Sequence, residues 1–343
     1  MIYLNLLVIF LCIIFIHELG HYLFARIFKA TVTDFSIGFG KVLYSFTDKN
    51  LTNWKISIIP LGGYVKIKGL ESIFNNKKSD LSPNSFHNLN LYKKIIILLG
   101  GSFFNILSAW FILFIILFFF GIAKFEPIIG KIIPNSPADI NNLKVGDKIY
   151  KINEYKIETF TDIGKAIANK NRIKIDFLRN NDLISKEFDL KYNVELNKFY
   201  IGITSNNSPI IERYHLFLSL KDSFFFIPTY YSEIFKYLTT SYKNNTLTNE
   251  LAGPIGIVKM ADQLMLDKIK GILFIFISIS LFVGIFNLLP IPLLDGGHIV
   301  YFVVSKFFSD SLPSYVTKVY LVTGFTIISF IFLLVTFNDI FYK

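Results

Sequence analysis

Residues 2–28 read IYLNLLVIFLCIIFIHELGHYLFARIF, a nearly continuous apolar run that is interrupted at His17, Glu18 and His21. A helix that crosses a membrane needs about 20 consecutive, mostly apolar residues, so this run is long enough. Ionisable side chains at bilayer depth are costly unless they have partners or a function. The sequence therefore predicts a first transmembrane helix over residues 1–28 with a functional site in its second half.

The HELGH motif at residues 17–21 has the spacing of a metal-binding helix. His17 and His21 are four residues apart, so both imidazoles project from one helical face and can share a single Zn²⁺. Glu18, between them, is able to take a proton from water at the metal. Two other interpretations stay open here: core histidines satisfied by neighbouring polar groups, or a motif whose metal site has been lost.

The composition of the whole chain is typical of a membrane protein. Hydrophobic residues occupy 52% of 343 positions, charged residues occupy 17%, and the mean hydropathy is +0.50. One soluble core does not need that much apolar surface, so a large part of it must face lipid. Three further apolar runs predict transmembrane helices over residues 93–123, 271–308 and 316–341, which makes a multi-span α-helical protein with about four spans.

One more apolar stretch, Leu216 to Leu238, is interrupted by Lys221, Asp222, Pro228 and Glu233. Charges and proline are disfavoured at bilayer depth. We therefore predict that this stretch lies at the membrane surface or between domains. It belongs to a linker over residues 206–270 that is expected to contain amphipathic helices.

The charge pattern indicates membrane lipid rather than nucleic acid as the partner. The net charge of +10 comes from dispersed lysines, many of them beside apolar runs, where they suit anionic headgroups. The lysine-rich loop over residues 29–92 is expected on the cytoplasmic side. The segment over residues 125–205 is then extracytoplasmic. The single cysteine, Cys12, excludes an intrachain disulfide.

Two segments between the spans have β-type patterns. Residues 127–157, PIIGKIIPNSPADINNLKVGDKIYKINEYKI, resemble part of a PDZ domain, which we expect over residues 125–205. Residues 54–69, WKISIIPLGGYVKIKG, alternate apolar and polar side chains on both sides of a Pro-Leu-Gly-Gly turn, which predicts a membrane-associated β-hairpin. An unpaired edge of this hairpin is able to receive an extended substrate.

A third metal ligand is predicted at Asp295, within NLLPIPLLDGGH at residues 287–298. Catalytic zinc usually has three protein ligands. Two prolines break the span here, and irregular backbone at bilayer depth is tolerated where it lines a polar cavity. The first and third spans run in the same direction, so HELGH and Asp295 share a depth. A plain kink beside a capping Asp is the alternative, and His298 either supports the metal site or is an ordinary helix residue.

Taken together, these segments resemble the bacterial site-2 proteases, the intramembrane zinc metalloproteases of regulated intramembrane proteolysis. The resemblance covers nearly the whole chain. Its motifs are, in order, HELGH (17–21), FSIGFG (35–40), GGYVKIKG (62–69), GGSFFN (100–105), the PDZ segment, GPIGI (253–257) and NLLPIPLLDGG (287–297). One departure is that a single PDZ segment fits here, whereas better-known members carry two in tandem.

The resemblance implies a metalloendopeptidase with one zinc ion per chain, held by His17, His21 and Asp295, and with Glu18 as the general base. Its substrates would be transmembrane segments of membrane proteins that another protease has already trimmed, such as anti-sigma factors or signal-peptide remnants. The protein is expected in the bacterial inner membrane, with its active site toward the cytoplasm. The PDZ domain is expected to contact peptides or to act as a size filter.

The resemblance also implies contacts with the substrate. The residues at matching positions are Asn105, Asn287 and, in the family's membrane-associated β-loop, Gly62, Gly63, Tyr64 and Val65. By physics alone, either asparagine serves equally well as a hydrogen-bonding contact between helices. The alternative function is a non-catalytic membrane PDZ adaptor with a vestigial zinc site. A transporter is disfavoured because the spans contain no recognisable inverted repeat.

Overall fold

The computed structural model describes residues 2–70, 84–168, 170–193, 198–205, 209–243, 268–308 and 312–341. The chain divides into two compact units: a membrane unit of Met1–Phe114 and Leu220–Lys343, and an inserted unit of Ile115–Ser219. The GPIGI motif lies outside the described residues.

The described α-helices are α1 (Ile2–Ile27), α2 (Leu91–Ile115), α3 (Pro137–Ile140), α4 (Phe160–Ile167), α5 (Leu216–Lys243), α6 (Lys268–Phe286), α7 (Asp295–Ser305) and α8 (Ser314–Phe341). The described strands are β1 (Val32–Thr47), β2 (Asn53–Ile67), β3 (Ile122–Lys124), β4 (Ile129–Ile132), β5 (Lys148–Ile152), β6 (Tyr155–Lys156), β7 (Arg172–Arg179), β8 (Asp182–Asp189), β9 (Lys191–Asn193), β10 (Lys198–Tyr200), β11 (Ile203–Ser205) and β12 (Ile210–Glu212).

Four of the described helices are long and apolar enough to cross a membrane, which is the number that the sequence predicted. They are Tyr3–Ile27, Leu91–Phe120, Ile269–Phe286 and Ser314–Phe341. Large apolar side chains on them are exposed, among them Phe111 and Phe325, as expected for helices that contact lipid. Helix α5 covers the stretch predicted to stay out of the bilayer, and it is not among the described helices that are long and apolar enough to cross a membrane.

Irregular backbone over residues 287–294 separates α6 from α7. The loop folds back on the start of α7, since the N–H of Gly296 donates to the carbonyl oxygen of Asn287 at 2.7 Å. A Cβ on Gly296 would lie 2.2 Å from the carbonyl oxygen of Leu288, so only glycine allows this approach. The result is that Asp295 is fixed at the first residue of α7.

Strands β1 and β2 form a sheet in the membrane unit, and their pairing corrects the predicted hairpin over residues 54–69. Strand β1 pairs antiparallel with β2, and Phe35 has two partners there, Trp54 and Val65. The two halves of the predicted hairpin thus lie on opposite sides of β1. The physical reason is burial: Phe35 is 1% exposed and stacks on Trp54 with ring centroids 4.3 Å apart. A bend at Gly38, with φ of 85°, lets β1 follow both parts of β2.

The inserted unit has its own sheet and core. Strands β5 to β8 form an antiparallel sheet in the order β6-β5-β7-β8, and β4 pairs with β11, β9 with β10, and β3 with β12. Ile149, Ile175 and Phe177 are fully buried, and α4 packs Ile163 against the same core. Strands β3 and β12 extend the unit beyond the predicted bounds of 125–205.

Candidate metal and active site

Helix α1 brings the two histidines of HELGH to one face. The Nε2 atoms of His17 and His21 are 3.3 Å apart, and the rings meet edge to face with centroids 4.8 Å apart. The four-residue spacing produces this arrangement because about 3.6 residues make one helical turn. The two rings therefore present their Nε2 atoms to the same small volume.

Three residues of α2, spaced by four, contact these histidines, and the earliest of the three lies against the later histidine. The carbonyl oxygen of Ile97 lies 2.8 Å from Nδ1 of His21. Nδ2 of Asn105 lies 3.3 Å from Nδ1 of His17. Between them, a Cβ on Gly101 would lie 2.5 Å from Nε2 of His21. Residues spaced by four share one helical face, so α2 presents this face directly to the metal-binding face of α1.

Asp295 completes the cluster from a third element. Its Oδ2 lies 3.3 Å from Nε2 of His17 and 3.5 Å from Nε2 of His21. The cluster has one ligand atom from each of the three residues, and all three side chains are largely buried. The structure thus brings together the three residues that the sequence predicted as metal ligands.

The chemistry of these atoms suits a cation. Because Nδ1–H of His21 donates to the carbonyl of Ile97, the neutral ring presents Nε2 as a lone pair. Oδ2 of Asp295 is buried and has no hydrogen-bond partner among the described residues. Buried acceptors that converge in this way need a cation between them. Tetrahedral zinc, with bonds of about 2.0–2.1 Å, has ligand atoms about 3.3 Å apart, so zinc fits His17, His21 and Asp295.

Glu18 lies beside the ligands and is held by β2. The backbone N–H of Val65 interacts with its carboxylate, and both residues line one cavity. A Cβ on Gly63 would lie 3.1 Å from Cγ of Glu18, so the strand backbone runs close to this side chain. The strand therefore fixes the carboxylate that the HELGH motif supplies.

A cavity of about 440 Å³ joins these groups. Its lining includes the three ligands, Glu18, His298 and the predicted substrate contacts Gly62, Gly63, Tyr64, Val65 and Asn287. Asn105 is the exception among the predicted site residues, because it is 0% exposed and lies behind the ring of His17. The structure therefore brings Asn287 and the β2 residues to the cavity, but not Asn105.

Sequence reasoning missed Ile97, Gly101 and the contact between Val65 and Glu18. Gly101 lies four residues before Asn105, and residues with this spacing share one helical face. This spacing could have identified Gly101 as part of the face of α2 that meets α1. The carbonyl of Ile97 has no sequence signature, because every residue supplies one. The contact of Val65 depends on how β1 and β2 pair, which the sequence did not predict correctly.

A family model described as Peptidase family M50 matches residues 5–331. The chain belongs to peptidase family M50. The match includes every residue of the cluster and confirms, at the level of the family, the resemblance drawn from the motifs. This M50 chain is therefore a zinc metalloprotease and, with its four apolar helices, a membrane protein.

Two curated relatives have the name "Putative zinc metalloprotease". One, from Campylobacter jejuni, is 34% identical over 96% of this M50 chain and 90% of its own length. The other, from Rickettsia conorii, is 31% identical over 96% of this chain and 95% of its own length. Among solved structures, the PDZ domain of an SdrC-like protein from Listeria monocytogenes matches 24% of this chain and 90% of its own, at 18% identity and a TM-score of 0.22.

Proposed function

We propose that this M50 chain is an intramembrane endopeptidase that hydrolyses peptide bonds within transmembrane segments of other membrane proteins. The observation that carries the proposal is the position of the ligands: His17 and His21 belong to a helix long and apolar enough to cross a membrane. Asp295 and Glu18 line the same cavity. Ionisable residues in such a helix are costly without a function.

The proposed chemistry is direct hydrolysis without a covalent intermediate. Zinc held by His17, His21 and Asp295 would supply Lewis acidity, which lowers the pKa of water and polarises a peptide carbonyl. Glu18, which lies against the backbone of β2 at Gly63, accepts the proton of the attacking water and delivers it to the leaving nitrogen. The side chains of His17, His21 and Asp295 are largely buried, which limits their contact with bulk water.

We propose that the substrate binds as an extended strand beside β2. Gly62, Gly63, Tyr64 and Val65 line the cavity together with Glu18, so a peptide paired with this part of β2 would lie next to the general base. Strand addition satisfies the backbone groups that an unwound transmembrane helix exposes. Asn287 lines the same cavity and offers a side-chain amide to the substrate backbone.

The inserted unit is proposed to be a PDZ domain that contacts peptides or filters substrates by size. A groove of about 710 Å³ between α4 and β10–β11 supports peptide contact. Its apolar lining includes Phe160, Ile163 and Ile203. Grooves of this kind receive extended peptides by strand addition with pockets for alternate side chains.

We further propose one zinc per chain, the bacterial inner membrane as location, an active site toward the cytoplasm and an extracytoplasmic inserted unit. The ten lysines and four acidic residues of residues 29–94 support this orientation. Substrates already trimmed on the extracytoplasmic side, such as anti-sigma factors or signal-peptide remnants, would make this the second cut of regulated intramembrane proteolysis.

The test is co-expression with a tagged single-span membrane protein that has been truncated on its extracytoplasmic side. The wild type should release a smaller tagged fragment, whereas Glu18→Gln should not, while both bind zinc. Equal fragments from the two forms would overturn the proteolytic function. A chain that binds zinc but never cleaves would instead indicate a membrane adaptor.

A further inference from the structure

Asn105 is buried against His17 and does not face the cavity. It is 0% exposed, and its Nδ2 lies 3.3 Å from Nδ1 of His17. Nε2 of the same imidazole faces His21 and Asp295. The amide of Asn105 thus contacts the back of a metal ligand, on the side of the ring away from the metal position.

The chemistry of the two groups decides which way the amide points. A histidine that binds metal through Nε2 carries its proton on Nδ1 and needs an acceptor there. Oδ1 of Asn105 is buried without a hydrogen-bond partner among the described residues. Rotation of the amide by 180° exchanges two groups of the same shape and brings Oδ1 to Nδ1 of His17. The acceptor that the ring requires is therefore already present.

His21 provides an internal comparison. Its Nδ1 meets the carbonyl oxygen of Ile97 at 2.8 Å, so each histidine has one acceptor from the same face of α2. Metal-binding histidines generally donate their second ring N–H to such a partner, which fixes the tautomer and the ring orientation. The partner of His21 is a backbone group, whereas that of His17 is a side chain and can be changed by mutation.

Residue 105 is itself held in place across a helix interface. The hydroxyl groups of Ser108 and Ser280 both donate to the carbonyl oxygen of Asn105, each at 2.9 Å. Ser280 is 0% exposed and belongs to α6. Polar groups inside a membrane helix bundle are satisfied by such contacts between helices. These contacts act on the backbone carbonyl of Asn105 and leave its side-chain amide to His17.

We propose that Asn105 is a positioning residue for the metal site: it accepts a hydrogen bond from Nδ1–H of His17 and holds the tautomer and ring orientation in which Nε2 faces the metal. This inference rests on the proposed zinc site, and it separates Asn105 from Asn287, which lines the cavity. Removal of the acceptor should weaken zinc binding about 10- to 100-fold, the usual effect of losing such a partner.

The experiment compares zinc affinity, by competition with a chromophoric chelator, in the purified full chain and three variants. Asn105→Leu keeps the branched shape but has no acceptor, and we expect the 10- to 100-fold loss. Asn105→Asp keeps an acceptor and should bind zinc within about threefold of wild type. Ser280→Ala is the matched control: it removes one of the two hydrogen bonds to the backbone carbonyl of Asn105, while the bond from Ser108 and the side-chain amide remain, so zinc affinity should stay unchanged. The absorption spectrum of the Co²⁺-loaded chain should change only in Asn105→Leu.

Each alternative gives a different result. If Asn105→Leu binds zinc as wild type does and raises only KM for cleavage, Asn105 contacts substrate and the inference is overturned. If both Asn105 variants and Ser280→Ala lose zinc affinity equally, residue 105 acts only in packing, which also overturns it. A wild type that binds zinc but cleaves nothing would overturn the proposed function and leave this inference standing, whereas a wild type without zinc would overturn both.

Discussion

Substitution of Gly101 by alanine tests whether α2 lies against the metal-binding face of α1. A Cβ at this position would lie 2.5 Å from Nε2 of His21 and 2.7 Å from Nε2 of His17. Ordinary contact begins at 3.4 Å, so the methyl group overlaps the nearer ligand atom by about 0.9 Å. Both contacts are to the atoms that would bind zinc, and neither ring can move away without changing its ligand position.

The expected effect follows from how little the ligand distances of a metal site can vary. Ligand distances in such sites hold within about 0.2 Å, so a displacement of about 0.9 Å should lower zinc affinity by at least about 10-fold. Misplacement of a catalytic group by about 1 Å costs roughly 100-fold in rate. We therefore expect Gly101→Ala to retain about 1% of the cleavage activity, with zinc content reduced in parallel.

The assay measures zinc per chain by mass spectrometry, cleavage of the tagged single-span substrate, and the unfolding temperature. Gly164→Ala is the matched control, because a Cβ at this position in α4 would meet nothing within 4 Å. Alanine is favoured over glycine in a helix by about 1 kcal/mol, so the control should keep its zinc and unfold at the same or a higher temperature. Full zinc content and wild-type turnover in Gly101→Ala would refute the arrangement of α1 and α2.

Three further predictions concern the metal and the β1–β2 turn. Asp295→Ala should retain less zinc than Glu18→Gln, because only the first variant loses a ligand, as zinc analysis of the two proteins would reveal. Treatment with a strong chelator should abolish cleavage, and added zinc should restore it. Burial raises the pKa of Asp48, but hydrogen bonds from Trp54 and backbone N–H groups outweigh it and hold the pKa below 3.8. These hydrogen bonds stabilise the fold above about pH 4, and that stability is lost as the pH falls further and Asp48 takes up a proton. Asp48→Asn should therefore make the unfolding temperature depend less on pH in this acidic range.

The spans and the metal cluster were predictable because each depends on a local pattern. Apolar length identifies a spanning helix, and the spacing of His17 and His21 fixes their common face. Asp295 needed one additional step, the direction in which the first and third spans run. The structure brings Asp295 to the two histidines, as that step requires. Only whether the number of spans between the motifs is odd or even sets the direction, so an error of a few residues in a boundary does not change the answer.

The pairing of β1 and β2 was not predictable in the same way. The alternation in residues 54–69 identifies a strand, but it does not identify the partner. In the structure, Trp54 and Val65 both pair with Phe35. Phe35 lies some twenty residues before the start of the predicted hairpin. A local turn signal at the Pro-Leu-Gly-Gly sequence was outweighed by the burial of an aromatic pair, because hydrophobic burial favours the arrangement that removes the most apolar surface from water.

The two asparagines of the motifs show what a motif leaves undecided. An amide is both donor and acceptor, and the resemblance implied substrate contact for both Asn105 and Asn287. Burial separates them: Asn287 lines the cavity, whereas Asn105 is 0% exposed behind His17. Asn105 thus offers no exposed surface to a peptide in the cavity, and reaching it would require moving the imidazole of His17, a proposed zinc ligand. We therefore propose that Asn287, rather than Asn105, contacts the substrate.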